Sequence, residues 1–301
     1  MYPTTAAAEG KVEDISYTGK GEKRTRGKGP KPKGIKVFIP VFPGTNCEID
    51  TAKKFEEAGA EPVVFVIKNR SPKDVEESVK AMAKAISACK ILAIPGGFSG
   101  GDEPDGSAKL IAAFFSNARI AEEVEKMLYK RDGLALGICN GFQALVKLGL
   151  LPYGHISTPK ATDPVLTFNN IGRHVSTLVD IRVATGISPW LSGVKVGDVF
   201  KVPVSHGEGK FVAKEDVLKT LVEKGQIATQ YCDEFGHATM ASPYNPNGSM
   251  LAIEGIVSPD GRVLGKMGHS ERIGEFMMKN AVGSYAETDM HIFKSGVDYY
   301  K

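Results

Sequence analysis

Residues 134–143 read LALGICNGFQ, and this stretch decides more about the fold than any other part of the chain. An apolar run, typical of a buried strand, ends in a cysteine with a glycine two residues before it and another two residues after it. This spacing fits a sharp turn between a strand and a helix, where bulky neighbours would collide and the turn residue projects outward. A helix that starts there favours a negative charge on the Cys139 sulfur. Cys139 is a candidate nucleophile, and an inert buried thiol stays the alternative.

Strands and helices alternate on both sides of this turn. Before it, the chain shows β-rich runs at 35–41, 61–67 and 91–94 and helical patterns at 48–58, 71–88 and 107–128. After it come shorter strand patterns at 165–168, 177–183, 200–204, 226–230 and 262–265. We predict an α/β fold with a mostly parallel sheet, helices on both faces and a small antiparallel extension. Sites in such sheets lie beyond the carboxyl ends of the strands.

The composition is that of an ordinary globular protein. The 301 residues, 42% of them hydrophobic, can bury a sizeable core. Four scattered cysteines with no metal-like spacing indicate a reducing compartment, and we expect a cytoplasmic protein. We find no signal peptide and no apolar run long enough for a membrane span. A net charge of +3 is too small to indicate a nucleic-acid partner.

Basic residues are concentrated near the start of the chain, between residues 19 and 36, where they alternate with glycine and proline. Such a segment cannot bury enough apolar surface to fold alone. We predict a basic flexible linker or tail over residues 1–34 and one domain over residues 35–301. A basic arm for an acidic partner is the alternative. A linker in this position suggests a chain that is one piece of a larger polypeptide.

A second motif, KMGHSER at residues 266–272, follows the predicted strand at 262–265. His269 and Glu271 are two residues apart, so at a strand end both side chains can point the same way. The carboxylate can then orient the imidazole while the other ring nitrogen faces a nucleophile. Taken alone, such a pair is commonly an accident of the surface. Beside an earlier cysteine at a strand end it becomes a candidate base, in the chain order that triads on α/β sheets use.

A third motif, PGGF at residues 95–98, ends the strand at 91–94. Its backbone amides, with that of Asn140, can stabilise the oxygen of a tetrahedral intermediate. A phosphate cradle over residues 96–106 is the rival interpretation, but no Gly-Lys-Ser/Thr follows.

Together these motifs resemble those of class I glutamine amidotransferases, which use a catalytic triad and a flavodoxin-like fold. The resemblance rests on GICNGFQ at 137–143, PGGFS at 95–99 and the late His269-x-Glu271. Three further motifs resemble the glutaminase portion of phosphoribosylformylglycinamidine synthases: PGTNCE at 43–48, VSHGEG at 204–209 and NPNGS at 245–249. The match runs from about residue 35 to the C-terminus.

The resemblance implies a function and a set of residues. Cys139 would attack the glutamine carboxamide, His269 would protonate the departing ammonia and activate water, and Glu271 would hold His269. The resemblance also assigns an oxyanion site to Gly97, Phe98 and Asn140 and glutamine binding to Gln143. A synthase portion, in the same polypeptide or in a complex, would use the ammonia with ATP and magnesium to form an amidine in purine biosynthesis. We expect no metal or cofactor in this chain, and neither a nucleic acid nor a membrane as partner.

The chain departs from the family at two points. An aromatic residue is missing between Ser99 and Gly100, and Gly268 and Ser270 replace the prolines of Pro-His-Pro-Glu, which leaves that loop less constrained.

Other residues and other functions stay open. We expect His206 and Glu208 near the active site or the synthase interface, and Cys47 in packing or an interface. The alternative functions are another cysteine hydrolase, such as a peptidase-like enzyme, and a non-catalytic module that docks on the synthase.

Overall fold

The computed structural model describes residues 12–23, 34–98, 108–274, 277 and 288–301. Its strands are β1 Lys36–Val41, β2 Glu61–Val66, β3 Ile91–Ile94, β4 Leu134–Ile138, β5 Val165–Thr167, β6 Val175–Val183, β7 Val199–His206, β8 Lys210–Val212, β9 Ile227–Cys232, β10 Ile253–Val257 and β11 Val263–Lys266. Its helices are α1 Glu48–Glu57, α2 Pro72–Ser87, α3 Lys109–Phe115, α4 Ala118–Glu125, α5 Asn140–Lys147, the short turn α6 Leu150–Tyr153, α7 Glu215–Glu223 and α8 Ile292–Asp298.

Nine of the strands in the described residues form one sheet, in the order β2-β1-β3-β4-β11-β10-β9-β6-β7. From β2 to β11 each neighbouring pair is parallel, and from β11 to β7 each is antiparallel. Every residue of β3, β4, β10 and β11 is buried, so both faces of the central sheet are covered. The predicted α/β class, the parallel core and the antiparallel extension are confirmed.

Helices cover the sheet and pack on one another. Helix α1 lies against β1, β2 and α8, whereas α5 lies against β3, β4 and β11. The Phe55 ring of α1 meets Trp190 and Phe293 edge to face, with ring centroids 6.4 and 5.0 Å apart. Such pairs add about 1 kcal/mol each beyond the burial of their area. Within the described residues, no helix is long and apolar enough to cross a bilayer.

Several elements differ from the prediction. The helix predicted over 107–128 is divided into α3 and α4, because Asn117 ends one helix and caps the next by accepting a hydrogen bond from Arg119 N. The strand predicted at 165–168 pairs with β8 in a separate two-stranded sheet. The sequence analysis missed β10, whose Gly255 lies so close to β11 that a Cβ would stand 2.7 Å from the Gly265 carbonyl oxygen. It also missed α7 and α8.

The described part of the N-terminal segment lies against the domain, although we predicted a flexible linker there. Ile15 N donates to Gln230 Oε1 and Tyr17 N donates to Ala184 O, both over 2.8 Å. The buried Arg182 guanidinium donates to the Ile15 carbonyl oxygen, also over 2.8 Å.

The linker prediction therefore does not hold for residues 12–23. We predicted a linker because the segment has few apolar residues. The apolar side chains that this part does contain pack on the core. Residues 1–11 and 24–33 lie outside the described residues, and for them the linker stays a prediction.

Helix α5 approaches β3 so closely that its first turn requires a glycine. A Cβ built at Gly141 would lie 1.9 Å from the carbonyl oxygen of Ile94, a backbone atom that cannot move aside. The glycine therefore fixes how closely the start of α5 sits behind the carboxyl ends of β3 and β4.

We predict that Gly141→Ala destabilises the protein by about 3 kcal/mol, because the added methyl forces the helix away from the sheet. Gly186→Ala is the matched control: its Cβ would meet one atom, at 3.9 Å, and its cost should stay within about 0.5 kcal/mol. Urea unfolding of both variants measures the difference. Equal stability of the two variants would contradict the close approach.

Candidate active site

Three neighbouring parallel strands bring the sequence motifs together. Strand β4 lies between β3 and β11, with Gly137 in register with Ile94 on one side and Gly265 on the other. The glycine-rich turn, residues 95–98, follows β3, and Cys139 follows β4. The histidine loop, residues 267–271, follows β11. The topology thus places the three motifs side by side, at the edge of the sheet where α/β sites form.

Cys139 occupies the predicted sharp turn. It precedes α5 directly and has φ 52° and ψ −106°, a conformation unusual for a residue with a side chain. Strain of this kind persists where the surrounding structure imposes it, typically at functional sites. The thiol is 6% exposed, and its Sγ lies 3.8 Å from the carbonyl oxygen of Ser205.

His269 and Glu271 form the predicted pair. The ring Nδ1 of His269 lies 2.6 Å from Glu271 Oε1, and both side chains are buried. Burial opposes a charge on the ring, but Glu271 and a hydrogen bond with Cys139 outweigh it and raise the pKa of His269 well above its usual value. Burial also raises the pKa of Glu271, yet His269 overcomes this effect, and the net change is downward. Cys139 lies beside this pair, because a Cβ built at Gly96 would come within 2.8 Å of His269 Cε1 and 3.4 Å of Cys139 Cβ.

A second thiol, Cys47, lies beside the same histidine, which the sequence analysis did not predict. Its Sγ is 3.9 Å from His269 Nδ1 and 3.0 Å from Asn46 Oδ1, and the residue is fully buried. Burial raises the pKa of this thiol. Cys47 and Cys139 flank Gly96, where a Cβ would come within 3.1 Å of Cys47 Sγ and 2.8 Å of His269 Cε1. The motif PGTNCE at 43–48 singled out Cys47. Its separation of 222 positions from His269 gave no indication that the two side chains are in contact.

The glycine-rich turn is fixed by the loop after β1. Gly97 has φ 146°, and a Cβ there would meet the Gly44 carbonyl oxygen at 2.6 Å, so this position requires glycine. Phe98 N donates to that same oxygen over 2.9 Å. The amide of Phe98 is therefore engaged within the protein, and an oxyanion role for it requires this bond to break. Ser99 and Gly100 lie outside the described residues.

Asn140 and Gln143 tie α5 to the loop after β7. Asn140 Nδ2 donates to Gln143 Oε1 over 3.0 Å, and Gln143 Nε2 donates to the Glu208 carbonyl oxygen. Since Ser205 also contacts the Cys139 sulfur, the VSHGEG motif forms one wall of the site. The structure thus places Glu208 and its neighbours at the site.

The exposed rim of this wall is aromatic. His174 Nε2 lies 2.9 Å from Ser205 Oγ, and the His174 ring faces Phe98 with centroids 5.9 Å apart. Phe98 is 61% exposed, so a large apolar ring stands at the mouth of the site.

A buried ion pair supports the histidine loop. Lys266 Nζ and Glu254 Oε1 are 3.1 Å apart, and both side chains are 1% exposed or less. Glu254 Oε1 accepts from Gly268 N over 2.6 Å, and Lys266 Nζ donates to the Gly268 carbonyl oxygen over 2.8 Å. Both polar groups of Gly268, the residue directly before His269, are therefore fixed. Sequence reasoning missed Glu254 because β10 was not predicted.

Comparison with known proteins identifies relatives of this chain. The profile of the CobB/CobQ-like glutamine amidotransferase domain matches residues 34–300. Relatives named phosphoribosylformylglycinamidine synthase subunit PurQ include that of Aquifex aeolicus, 35% identical over 80% of this chain and 92% of the relative. That of Rhodopseudomonas palustris is 33% identical over 87% of this chain and the whole of the relative.

The chain belongs to the PurQ family of CobB/CobQ-like glutamine amidotransferases. The resemblance read from the motifs is confirmed. The PurLQS structure from Thermotoga maritima has a TM-score of 0.63 and 25% identity, over 89% of this chain and all of that chain. A putative GMP synthase subunit from Thermoplasma acidophilum, with a TM-score of 0.50 and 11% identity, shares the fold alone.

In this PurQ-family chain a buried histidine, His206, also lies on the wall of the site. Its Nδ1 is 3.2 Å from Asn169 Oδ1, and within the described residues its Nε2 has no hydrogen-bond partner. Burial, with smaller effects from His269 and His174, lowers the pKa of His206 to about 4. The folded protein therefore keeps this ring neutral under conditions in which an unfolded chain protonates it.

We predict that His206 makes folding sensitive to acid. As the pH falls from 6.5 towards 4, the unfolded chain binds a proton that the folded chain does not bind, so stability declines. Between pH 7 and pH 5 this residue should account for a loss of about 2 kcal/mol. His206→Asn keeps a donor for Asn169 and should remove that part of the loss. Urea unfolding at both pH values tests this, and an identical decline in the two proteins would contradict it.

Proposed function

We propose that this chain hydrolyses glutamine with Cys139 as nucleophile, His269 as acid and base, and Glu271 as the group that orients His269. One observation carries the proposal: Cys139 and His269 meet at the same point, since a Cβ built at Gly96 would lie 3.4 Å from Cys139 Cβ and 2.8 Å from His269 Cε1, and His269 Nδ1 lies 2.6 Å from Glu271 Oε1. A nucleophile, a base and an orienting carboxylate in contact are what acyl transfer through a thioester requires.

The steps follow from this contact. The Cys139 sulfur attacks the side-chain carboxamide carbon of glutamine, and His269 takes the thiol proton. His269 then gives a proton to the leaving nitrogen, and ammonia departs. Water, activated by the same ring, hydrolyses the thioester and releases glutamate. Glu271 keeps the ring oriented and stabilises its charged form.

Backbone amides next to Cys139 are suited to the tetrahedral intermediate. Asn140 is the first residue of α5, where the helix dipole favours negative charge, and Gly97 follows Gly96, whose α-carbon faces Cys139 and His269. We assign the oxyanion site to these two positions. Phe98 joins them when its bond to Gly44 opens, and Gln143 shapes the glutamine pocket through its bond to the Glu208 carbonyl oxygen.

The ammonia goes to a synthase partner. The PurQ relatives are named as subunits of phosphoribosylformylglycinamidine synthase, and the Thermotoga maritima structure is one of PurLQS. We propose that a PurL-type synthase subunit, using ATP and magnesium, receives the ammonia and forms the amidine of the purine pathway. Because the partner subunit would bind ATP and magnesium, the proposed reaction of this chain needs no site for either.

Cys139→Ala should lower glutamate release by about 1000-fold or more, because it removes the thiol at the start of α5, and the other thiol beside His269, Cys47, is fully buried. Cys89→Ala is the matched control: Cys89 is a buried thiol of the core, and its removal should leave activity within a few-fold of the parent. Glutamate is measured enzymatically, and circular dichroism checks the fold. Comparable activity in Cys139→Ala and the parent would refute the assignment.

Removing Glu271 should cost less than removing His269. Orientation of a base is worth less than proton transfer itself, so we expect Glu271→Ala to keep at least about tenfold more activity than His269→Ala. Steady-state rates of glutamate release compare the two. Equal losses would mean that Glu271 takes part in the proton transfers directly.

The synthase should stimulate the reaction. Such sites are commonly completed by closure of a partner, so the lone chain should release glutamate slowly and a PurL-type subunit with ATP, magnesium and formylglycinamide ribonucleotide should accelerate it. Peptide substrates serve as the control for a general cysteine hydrolase. Peptide cleavage without glutamine hydrolysis would overturn the proposed function.

A further inference from the structure

A group of metal-ligating atoms lies behind the proposed catalytic histidine. Cys47, His269 and Glu271 each offer one ligand atom, and these atoms lie within 4.8 Å of one another. All three residues are buried, with exposures of 0%, 3% and 2%. Within the described residues, Glu271 Oε2 is a buried oxygen with no hydrogen-bond partner. A buried carboxylate oxygen without a partner is costly unless something binds it.

We infer that Cys47, His269 Nδ1 and Glu271 form a binding site for a thiophilic divalent cation such as Zn²⁺, and that the bound cation switches off the glutaminase. The statement about activity rests on the proposed function, whereas the binding itself does not. The site lies on the Nδ1 side of the histidine ring. Cys139 is not among its ligands, and in the proposed mechanism it uses the other ring nitrogen, because Glu271 occupies Nδ1.

The geometry suits zinc. In a tetrahedral site with ordinary bond lengths, a cysteine sulfur and a histidine nitrogen stand about 3.5 Å apart. Here Cys47 Sγ and His269 Nδ1 stand 3.9 Å apart. Glu271 Oε1, at 2.6 Å from Nδ1, has to withdraw by less than about 1 Å to make room, or the carboxylate can turn its unpartnered Oε2 to the cation.

The charges also suit a divalent cation. A Cys47 thiolate and the Glu271 carboxylate supply two negative charges, and a neutral imidazole completes the set. The occupied site is then neutral overall, which limits the cost of placing an ion in a buried position. Sulfur and imidazole ligands select zinc over magnesium, which prefers oxygen and water.

Arg272, the residue after Glu271, forms an ion pair with Asp50 of α1. The Arg272 guanidinium pairs with Asp50 at 3.3 Å, and these side chains are 35% and 42% exposed. Arg272 also acts electrostatically on Cys47, so this partly exposed pair lies near the cluster. Because the three ligand residues are buried, we expect a cation to bind slowly.

The proton changes explain inhibition. Binding removes the proton from the Cys47 thiol to solvent and replaces any proton on His269 Nδ1. The neutral ring then carries its proton on Nε2, where it can no longer accept the proton of Cys139. Zinc should therefore inhibit without competing with glutamine, because Cys139 and the substrate pocket remain free.

Binding can be tested without catalysis. Equilibrium dialysis with Zn²⁺, and the thiolate charge-transfer absorption of Co²⁺ as a second probe, are applied to the full chain. We expect the parent and Cys139→Ser to bind one equivalent even in excess Mg²⁺. Cys47→Ser should lose at least about 100-fold in affinity, since removing even an outer-shell group costs 10–100-fold. Cys89→Ser controls for loss of a thiol elsewhere.

Each outcome decides the inference. Binding that survives in Cys47→Ser but is lost in Cys139→Ser would place the metal on the nucleophile and overturn it. Failure of the parent to bind micromolar Zn²⁺ would overturn it as well. In activity assays, the ratio of rates with and without zinc is compared within each variant, and inhibition competitive with glutamine would also contradict the site. If the parent binds zinc as expected but does not hydrolyse glutamine, the proposed function fails and the metal site stands.

Discussion

One backbone hydrogen bond, from Cys139 N to Lys266 O over 2.9 Å, joins the ends of β4 and β11, and the arrangement of the site depends on it. It continues the parallel register that pairs Ile138 with Lys266. With this register fixed, a residue placed three positions after the end of β11 lies next to the end of β4. The proximity of Cys139 and His269, which are far apart in sequence, is thus a property of strand order rather than of any local preference.

The histidine loop illustrates how one constraint can replace another. In the Pro-His-Pro-Glu pattern that the resemblance implies, proline rings would restrict this loop, and here glycine and serine stand in their place. Gly268 donates its N–H to Glu254 Oε1, which a proline at that position could not do. The buried Lys266–Glu254 pair therefore holds the loop through hydrogen bonds. Removing one partner would leave a buried charge without compensation, which typically costs 3–5 kcal/mol.

Sequence reasoning reached the fold class, the family and the three residues that the structure brings together, because each belongs to a local pattern at the end of a strand. It missed Cys47 beside His269 and Glu254 beneath the loop. Both contacts join elements that are remote in the chain, and no periodicity or spacing reveals which remote elements become neighbours. The oxyanion residues stay predictions. The motifs indicate which backbone amides lie near Cys139, but they do not show that the Phe98 amide donates to the Gly44 carbonyl oxygen.

The segment at residues 12–23 has a practical consequence for anyone who shortens this protein. A version trimmed to the domain boundary suggested by composition, at residue 35, would strip the Ile15 carbonyl and the Asp14 carboxylate from Arg182, a guanidinium that is 6% exposed. Of the Arg182 contacts named here, the hydrogen bond from its guanidinium to Gln230 Oε1 would remain. Poor yield or precipitation of such a truncated protein would reflect the loss of these contacts and of the apolar side chains that the segment packs on the core, rather than an intrinsically weak domain.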